Sequence, residues 1–295
     1  MTVDPRAVLL DLQMRHHAAQ LSTALDGRGR SARALDDLFH AIVEALEPEL
    51  FLEVGAFEAS ASHRVRAALP QCRVVAFEAS PVNYEHHRGV TDFDGAGIEY
   101  LHYAVCDRVG TTTILLNLEH PDAEPRPVGW TSMLRHRGFE HVRSVEVPAT
   151  TLDDVVPGTG GPIALWVDVE GAAGLVLDGA AHTLPRVDVL KIEVEDLPSW
   201  EGQTISLDIT ARLLEAGLYA VARDVEYSTQ HNVVFLSERA LRSHQVQRRL
   251  DLHLYDVSHR LSREPHPLRR SERLRGLARP VRRLVHPARS PRGRR

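Results

Sequence analysis

The sequence predicts an α/β protein organised on a doubly wound sheet of about seven strands. Three observations predict it. The stretch FLEVGAFEAS (51–60) runs a short apolar strand into a glycine turn, and a helix-compatible segment, 61–69, follows. Apolar strand patterns then alternate with helical patterns along most of the chain, the rhythm of βαβ units. Several of those strands also close on acids, namely Glu53, Glu78, Asp168 and Glu193. In an open α/β sheet such strand ends line the ligand crevice.

The elements follow in order. Residues 5–25 carry apolar positions at helical spacing (Val8, Leu9, Leu12, Leu21, Leu25). DGRGRS (26–31) reads as a loop. A second helix is expected over 32–46, with Leu35, Phe39, Ile42, Val43 and Leu46 on one face and Pro48 stopping it. Both helices precede the first strand, so they either pack on the sheet or cover its cleft. After the 51–69 unit, Pro70 ends the helix and Arg73–Phe77 forms a strand closing on Glu78. Pro81 opens a helix over 82–88. Ile98–Val105 reads as one strand, and Thr112–Asn117 as its hairpin partner. Residues 119–141 hold prolines and glycines with no strong period, a long irregular insertion of the kind that carries function. Val142–Thr150 alternates as a strand does, and Thr151 can cap a helical turn over the residues that follow. GTGGP (158–162) is a loop. Ile163–Val167 is a continuous apolar strand, buried on both faces. A helix over 172–184, a strand Val187–Val194, a helix over 204–216 and strands Leu218–Ala222 and Asn232–Leu236 complete the sheet. Residues 237–262 read as helical, and 264–295 shift to Arg, Pro and His. The expected organisation is a helical cap (1–48), a ligand-binding α/β domain (49–240), and a C-terminal helix with an arginine-rich tail (241–295).

Bulk composition excludes several classes. Apolar content of 43% and charged content of 25% over 295 residues suit an ordinary globular protein. No run approaches the roughly 18 apolar residues of a membrane span. Two cysteines, Cys72 and Cys106, are too few for a disulfide framework or a thiolate zinc site, so a reducing, cytoplasmic setting is expected. The net charge of −5 hides an asymmetry: from Arg260 onward, 13 arginines against two glutamates give +11, leaving −16 on the remainder. The tail therefore has three readings: a solvated end, a peripheral contact with anionic lipid through arginines interleaved with leucines, or a nucleic-acid contact. The last is disfavoured because no stacking aromatics accompany the arginines.

The turn after the first strand has one glycine, Gly55, where a dinucleotide fold has three, so no pyrophosphate cradle is evident. The ligand expected is a nucleoside derivative without phosphates. Gly55 would let backbone approach it closely. Glu78 lies 25 residues beyond Glu53, the spacing for an acid that accepts both ribose hydroxyls. With Glu53, Asp168, Glu170 and Glu193 the rim is anionic, which suits a cationic ligand or a metal.

These motifs taken together, FLEVGAFEAS, VVAFEASPVNYEHH, LHYAVCDRVGTTTILL, VPATTLDDV, ALWVDVEGAAGLVLDGA and VLKIEVE, resemble the FkbM-type methyltransferases over roughly residues 50–236. The pairing of TLDDV with a downstream DVEGAA…VLDGA is the most specific part. The resemblance implies a class I (Rossmann-like) methyltransferase fold, S-adenosylmethionine as cofactor, and O-methylation of a sugar, glycan or secondary metabolite. By position it places Glu53, Gly55 and Ala56 at the methionine end of the cofactor, Glu78 on the ribose with Ala79 and Ser80 beside it, and Ala104, Val105 and Asp107 around adenine. Asp168 and Glu170 match the family's acidic pair. This chain departs from the usual pattern at Glu53, where the family has Asp, at Phe57 and Ala59 or Ser60, where it has Asn and Gly, and at Trp166, where it has Lys.

Methyl transfer requires alignment of donor and acceptor and removal of a hydroxyl proton. Asp168 is the leading candidate, either as general base or as ligand of Mg²⁺, with Glu170 and Glu193 supporting it. Among many histidines, His102 and His136 are the two worth following. Thr131 and Ser132 fall where the acceptor would lie, and Trp130 and Trp166 read as packing residues. Partners expected are a small-molecule or glycan acceptor and a second copy of the chain. The competing reading is a non-catalytic S-adenosylmethionine-binding or membrane-surface protein on the same fold.

Overall fold

The computed structural model describes residues 5–21, 28–156, 158, 160–225, 227 and 229–256, without the side chains of 15–21, 28 and 256. Two helices, α1 (Pro5–Leu21) and α2 (Arg28–Leu46), lead into β1 (Leu50–Val54). The first half of the sheet continues through α3 (Ser60–Ala68), β2 (Arg73–Glu78), α4 (Pro81–Val90), α5 (Phe93–Ala96) and β3 (Ile98–His102). Then come β4 (Ala104–Val105), β5 (Gly110–Leu118), β6 (Thr131–Ser132), β7 (His141–Thr150) and α6 (Leu152–Val155). The second half holds β8 (Ile163–Val167), α7 (Ala173–Asp178), β9 (Val187–Glu195), α8 (Ser206–Glu215), β10 (Leu218–Arg223), β11 (Gln230–Ser237), α9 (Glu238–Leu241) and α10 (His244–Asp256).

Seven strands form one sheet in the order β10-β11-β9-β8-β1-β2-β3. All neighbours from β9 to β3 are parallel, while β11 runs antiparallel to both β9 and β10. The chain moves outward from β1 to β3, then returns to β8 on the other side of β1. The order therefore reverses between β1 and β8, which is where open α/β sheets hold their ligands.

Alternation along β1 explains the two layers. Leu50, Leu52 and Val54 face a core built with Val176 and Leu177 of α7 and Ile209 and Leu213 of α8. Phe51 faces the opposite core, with Leu35, Phe39 and Ile42 of α2, Val65 of α3 and Val246 of α10. The leading helices are thus part of the sheet's covering: α2 packs on β9 and β11, and α1 on α8 and β10. Among the described residues no helix is long and apolar enough to cross a membrane.

Four expectations are corrected. Arg28–Ser31 begins α2 rather than completing a loop; Ser31 Oγ accepts a 3.0 Å hydrogen bond from Val225 N–H and docks this turn on the body. Ile98–Val105 is two strands, with a break at Tyr103 where the chain leaves the main sheet for a second, four-stranded one ordered β4-β7-β5-β6. The Thr112–Asn117 segment pairs not with its predecessor but with β7, antiparallel from Gly110↔Ala149 to Leu118↔His141. The helix expected over 172–184 is only α7, which stops at Gly179, a position where a Cβ would lie 2.0 Å from the Cys106 carbonyl oxygen. The tail from 257 onward lies outside the described residues.

Candidate functional site

A cavity of about 250 Å³ opens at the carboxyl ends of the parallel strands, at the point where strand order reverses. Its walls are Val54 and Gly55 at the end of β1, Glu78 and Ala79 at the end of β2, Tyr103 to Val105, Ile114 of β5, Gly129 and Thr131 to Met133 of the irregular insertion, and Asp168 to Glu170 after β8. Its lining contains three carboxylates and no Lys, Arg or His.

The turn that forms its floor keeps left-handed geometry with few glycines. Gly55 (φ +81°), Phe57 (φ +47°) and Ala59 (φ +58°) all lie in the αL region. For non-glycine residues this costs about 1–3 kcal/mol each, and such strain persists only where surroundings impose it. Here the surroundings are visible. The N–H groups of Gly55 and Ala56 both donate to the Phe77 carbonyl, at 3.0 and 2.9 Å, and Phe57 N–H donates to Glu78 Oε2 at 2.9 Å. The reason for Gly55 also differs from the one expected. A Cβ there would stand 1.7 Å from the Asp168 carbonyl oxygen. The glycine is required by the approach of the β8 loop as well as by its own positive φ.

Glu78 is 5% exposed and held by three donors: Phe57 N–H, Ser80 N–H at 2.7 Å, and Asn83 Nδ2 at 3.3 Å. Burial raises its pKa, and these donors oppose that. Asn83 is a residue that sequence reasoning missed. It also grips the insertion in both directions, donating from Nδ2 to Val128 O and accepting at Oδ1 from Val128 N–H, each at 3.0 Å. One amide therefore ties the β2 acid to the segment roofing the cavity. No periodicity or spacing marks it.

The carboxylate cluster sits across the cavity. The β8–β9 register pairs Val167 with Ile192, so Asp168 and Glu193 are the next neighbours across the two strands. Glu170 follows in a left-handed turn (φ +48°), fixed by Ser132, whose Oγ donates to the Glu170 carbonyl at 2.7 Å. Trp200 covers Gly171 so closely that a Cβ there would lie 2.3 Å from Cδ1 of the indole. Trp200 is itself held by Glu195, which accepts its Nε1–H at 3.2 Å. One ligand-capable oxygen each from Asp168, Glu170 and Glu193 lies within 4.8 Å of the others. At an effective dielectric of about 20, two full charges at that separation repel by about 3.5 kcal/mol. Accordingly all three are raised. Burial is the first cause in each case, then the neighbouring carboxylates for Glu170, to about 8, and for Glu193; Lys191 opposes it at Asp168. Lys191 stays on the far side, 3.1 Å from Asp36 Oδ1 and over the Trp166 ring at 3.5 Å.

Of the residues singled out from sequence, Gly55, Glu78, Ala79, Ala104, Val105, Asp168 and Glu170 line this cavity, as do Thr131 and Ser132. Five others do not. Glu53 is buried beneath the turn, where Oε2 accepts Ser62 N–H at 2.8 Å and so caps α3, whose own cap residue Ala59 has no side-chain acceptor. Burial pushes its pKa to about 7. Ala56 packs into the core, and Ser80 caps α4 through a 3.4 Å bond from Asn83 N–H. Asp107 pairs with Arg108 at 2.9 Å, outside the cavity, which lowers its pKa. Glu193 belongs to the carboxylate cluster rather than the cavity wall. Neither His102, bonded to the Ala79 carbonyl at 3.1 Å and stacked on Tyr84, nor His136, packed on Trp200 and Phe139, lines it.

Residues 49–219, more than half of the chain, match the model of the Methyltransferase FkbM domain. The chain belongs to the FkbM methyltransferase family. The strand order above is the one its fold requires, a class I methyltransferase sheet. Among solved structures, this FkbM chain is similar to a methyltransferase FkbM from Methylobacillus flagellatus KT, with 15% identity and TM-score 0.41. It covers 64% of its own length there, and spans 44% of that protein. It is also similar to TomG, an O-methyltransferase from Streptomyces achromogenes solved with SAM (14% identity, 69% and 79% of the two chains, TM-score 0.38). A third is a precorrin-6y C5,15-methyltransferase from Geobacter metallireducens GS-15 (12% identity, 69% and 87%, TM-score 0.38). No curated protein matches the chain by sequence.

Proposed function

We propose that this FkbM chain transfers a methyl group from S-adenosylmethionine to a hydroxyl of a sugar, glycan or secondary metabolite. The observation that carries the reading is the cavity's charge: three lining carboxylates and no cationic side chain. A phosphate-bearing ligand would meet repulsion there, whereas a phosphate-free nucleoside with a positive charge meets attraction. Glu78, already seated by two backbone donors and the Asn83 amide, keeps an acceptor site on Oε2 for a ribose hydroxyl, and Ala104, Val105 and Ile114 offer an apolar wall for a base. When bound, S-adenosylmethionine supplies an electrophilic methyl group on a sulfonium.

The chain's own residues then have two tasks. The Asn83 clamp and the Ser132–Glu170 bond hold the insertion over the cavity and exclude water. Asp168 takes the acceptor's proton: it stands beside the cavity, and burial makes it a stronger base than an exposed aspartate. Glu170 supports it as the neighbouring carboxylate of the same cluster. The buried free thiols Cys72 and Cys106 suit a reducing cytoplasm.

The test is Asp168→Asn with labelled S-adenosylmethionine and a panel of sugar and phenolic acceptors. Transfer by the wild type, and a loss of at least about 100-fold in the variant with cofactor affinity within a few-fold, is the expected result. Undiminished turnover by the variant removes Asp168 from this role.

A further inference from the structure

We infer that Asp168, Glu170 and Glu193 form a binding site for one oxygen-seeking divalent cation of the Mg²⁺ or Mn²⁺ class. The geometry comes first. The three side chains offer one oxygen each within 4.8 Å of one another; opposite ligands of an ion at about 2.1 Å stand about 4.2 Å apart, so small side-chain rotations bring the set onto a single ion. Glu193 is held within β9, Asp168 directly follows the end of its neighbour β8, and Glu170 stands in the turn two residues on. Glu170 is further fixed by the Ser132 bond to its carbonyl.

The second observation is an orphaned atom. Glu193 Oε1 exposes less than 1 Å² and has no hydrogen-bond partner among the described residues. Gln230 is the one side chain that favours the charged form of Glu193, and it leaves Oε1 unpartnered. A buried carboxylate oxygen left unpaired is costly, and retained ones coordinate metals or pair with a charge. The nearby cation does not fill this need, because Lys191 is committed to Asp36 and Trp166 on the α2 side. The set is all oxygen and all carboxylate, which selects hard ions over zinc or copper. Each carboxylate gives one oxygen to the ion. The ion would lower the pKa of a hydroxyl bound beside it. Only that last role rests on the methyl-transfer reading; the ion site does not.

The test is calorimetric titration of the full chain with MnCl₂ and MgCl₂, wild type against Glu193→Gln, with thermal unfolding of both. The expected result is one saturable ion per wild-type chain and at least about tenfold weaker binding by the variant. Metal-free Glu193→Gln should unfold at or above the wild-type temperature, because an unpaired charge has been removed, and only the wild type should gain stability with Mn²⁺. Equal affinity in the two proteins, or no saturable binding by the wild type at millimolar ion, overturns the site. If the variant does not fold, quenching of the free Mn²⁺ paramagnetic resonance signal by wild-type protein decides the matter alone, and an unquenched signal is the negative result. S-adenosylmethionine titrated into metal-free protein separates the two ideas: binding there without any Mn²⁺ site sinks the ion and leaves the methyltransferase reading intact.

Discussion

Replacing Glu78 by Gln tests the nucleoside end of the site with a graded, calculable loss. The carboxylate accepts Phe57 N–H on one oxygen and Ser80 N–H with Asn83 Nδ2 on the other. A glutamine must turn its NH₂ toward one of these sets, so at least one buried donor loses its acceptor. That costs about 1–3 kcal/mol of stability. Alanine would strand all three donors, about 3–9 kcal/mol on the same scale, comparable with a typical domain's entire stability of about 5–15 kcal/mol. Gln is therefore the informative change. Ribose hydroxyls donating to a charged acceptor contribute about 1.5–3 kcal/mol, so affinity should fall about 10- to 150-fold. Calorimetric titration with S-adenosylmethionine reads this, and denaturant unfolding verifies the smaller stability loss. An intact variant that binds the cofactor within twofold of wild type would refute the assignment of Glu78 to the ribose.

Two further outcomes follow from the same geometry. Gly55→Ala should abolish soluble folded protein or lower its melting temperature sharply, since the new methyl would lie 1.7 Å from the Asp168 carbonyl oxygen at φ +81°; circular dichroism on heating checks it, and a wild-type transition would contradict it. Glu53, pushed by burial from about 4.5 unfolded to about 7 folded, binds its proton more tightly in the folded chain. Stability should therefore fall as pH rises between those values and level off above. Glu53→Gln keeps an acceptor for Ser62 N–H and removes that fall. The variant should match wild type below about pH 4.5 and exceed it by about 3 kcal/mol at pH 8, from 1.36 kcal/mol per pKa unit. Parallel curves with constant separation would contradict it.

Much of the fold was legible because the strongest signals in the sequence are those the sheet uses. Continuous apolar runs such as Ile163–Val167 became central parallel strands with their expected limits, and the acids closing them came together at the crevice. Errors arose where tertiary partners override local pattern. IEYLHYAV is an unbroken run of residues that suit a strand, with no Gly or Pro in it, so nothing local reveals that Tyr103 is where the chain changes sheets. The partner of β5 lies beyond the whole insertion, and a hairpin rule that looks only to near neighbours misses it. In the site, the resemblance carried over Glu53, Ala56 and Ser80, which do not line the cavity. They neighbour cavity residues in sequence, but the free N–H groups of α3 and α4 and the core claim them. Asn83 and Trp200 went unassigned and Ser132 was barely noticed, because their partners, such as Val128, Gly171 and Glu170, lie in loops that no local pattern connects to them.

The most direct measurement is a crystal structure of the full chain with S-adenosylhomocysteine. The account requires the ribose hydroxyls on the Glu78 carboxylate and the adenine against Ala104 and Val105. An adenosine seated elsewhere, for example in the separate hollow beside Trp130 and Phe139, would contradict it.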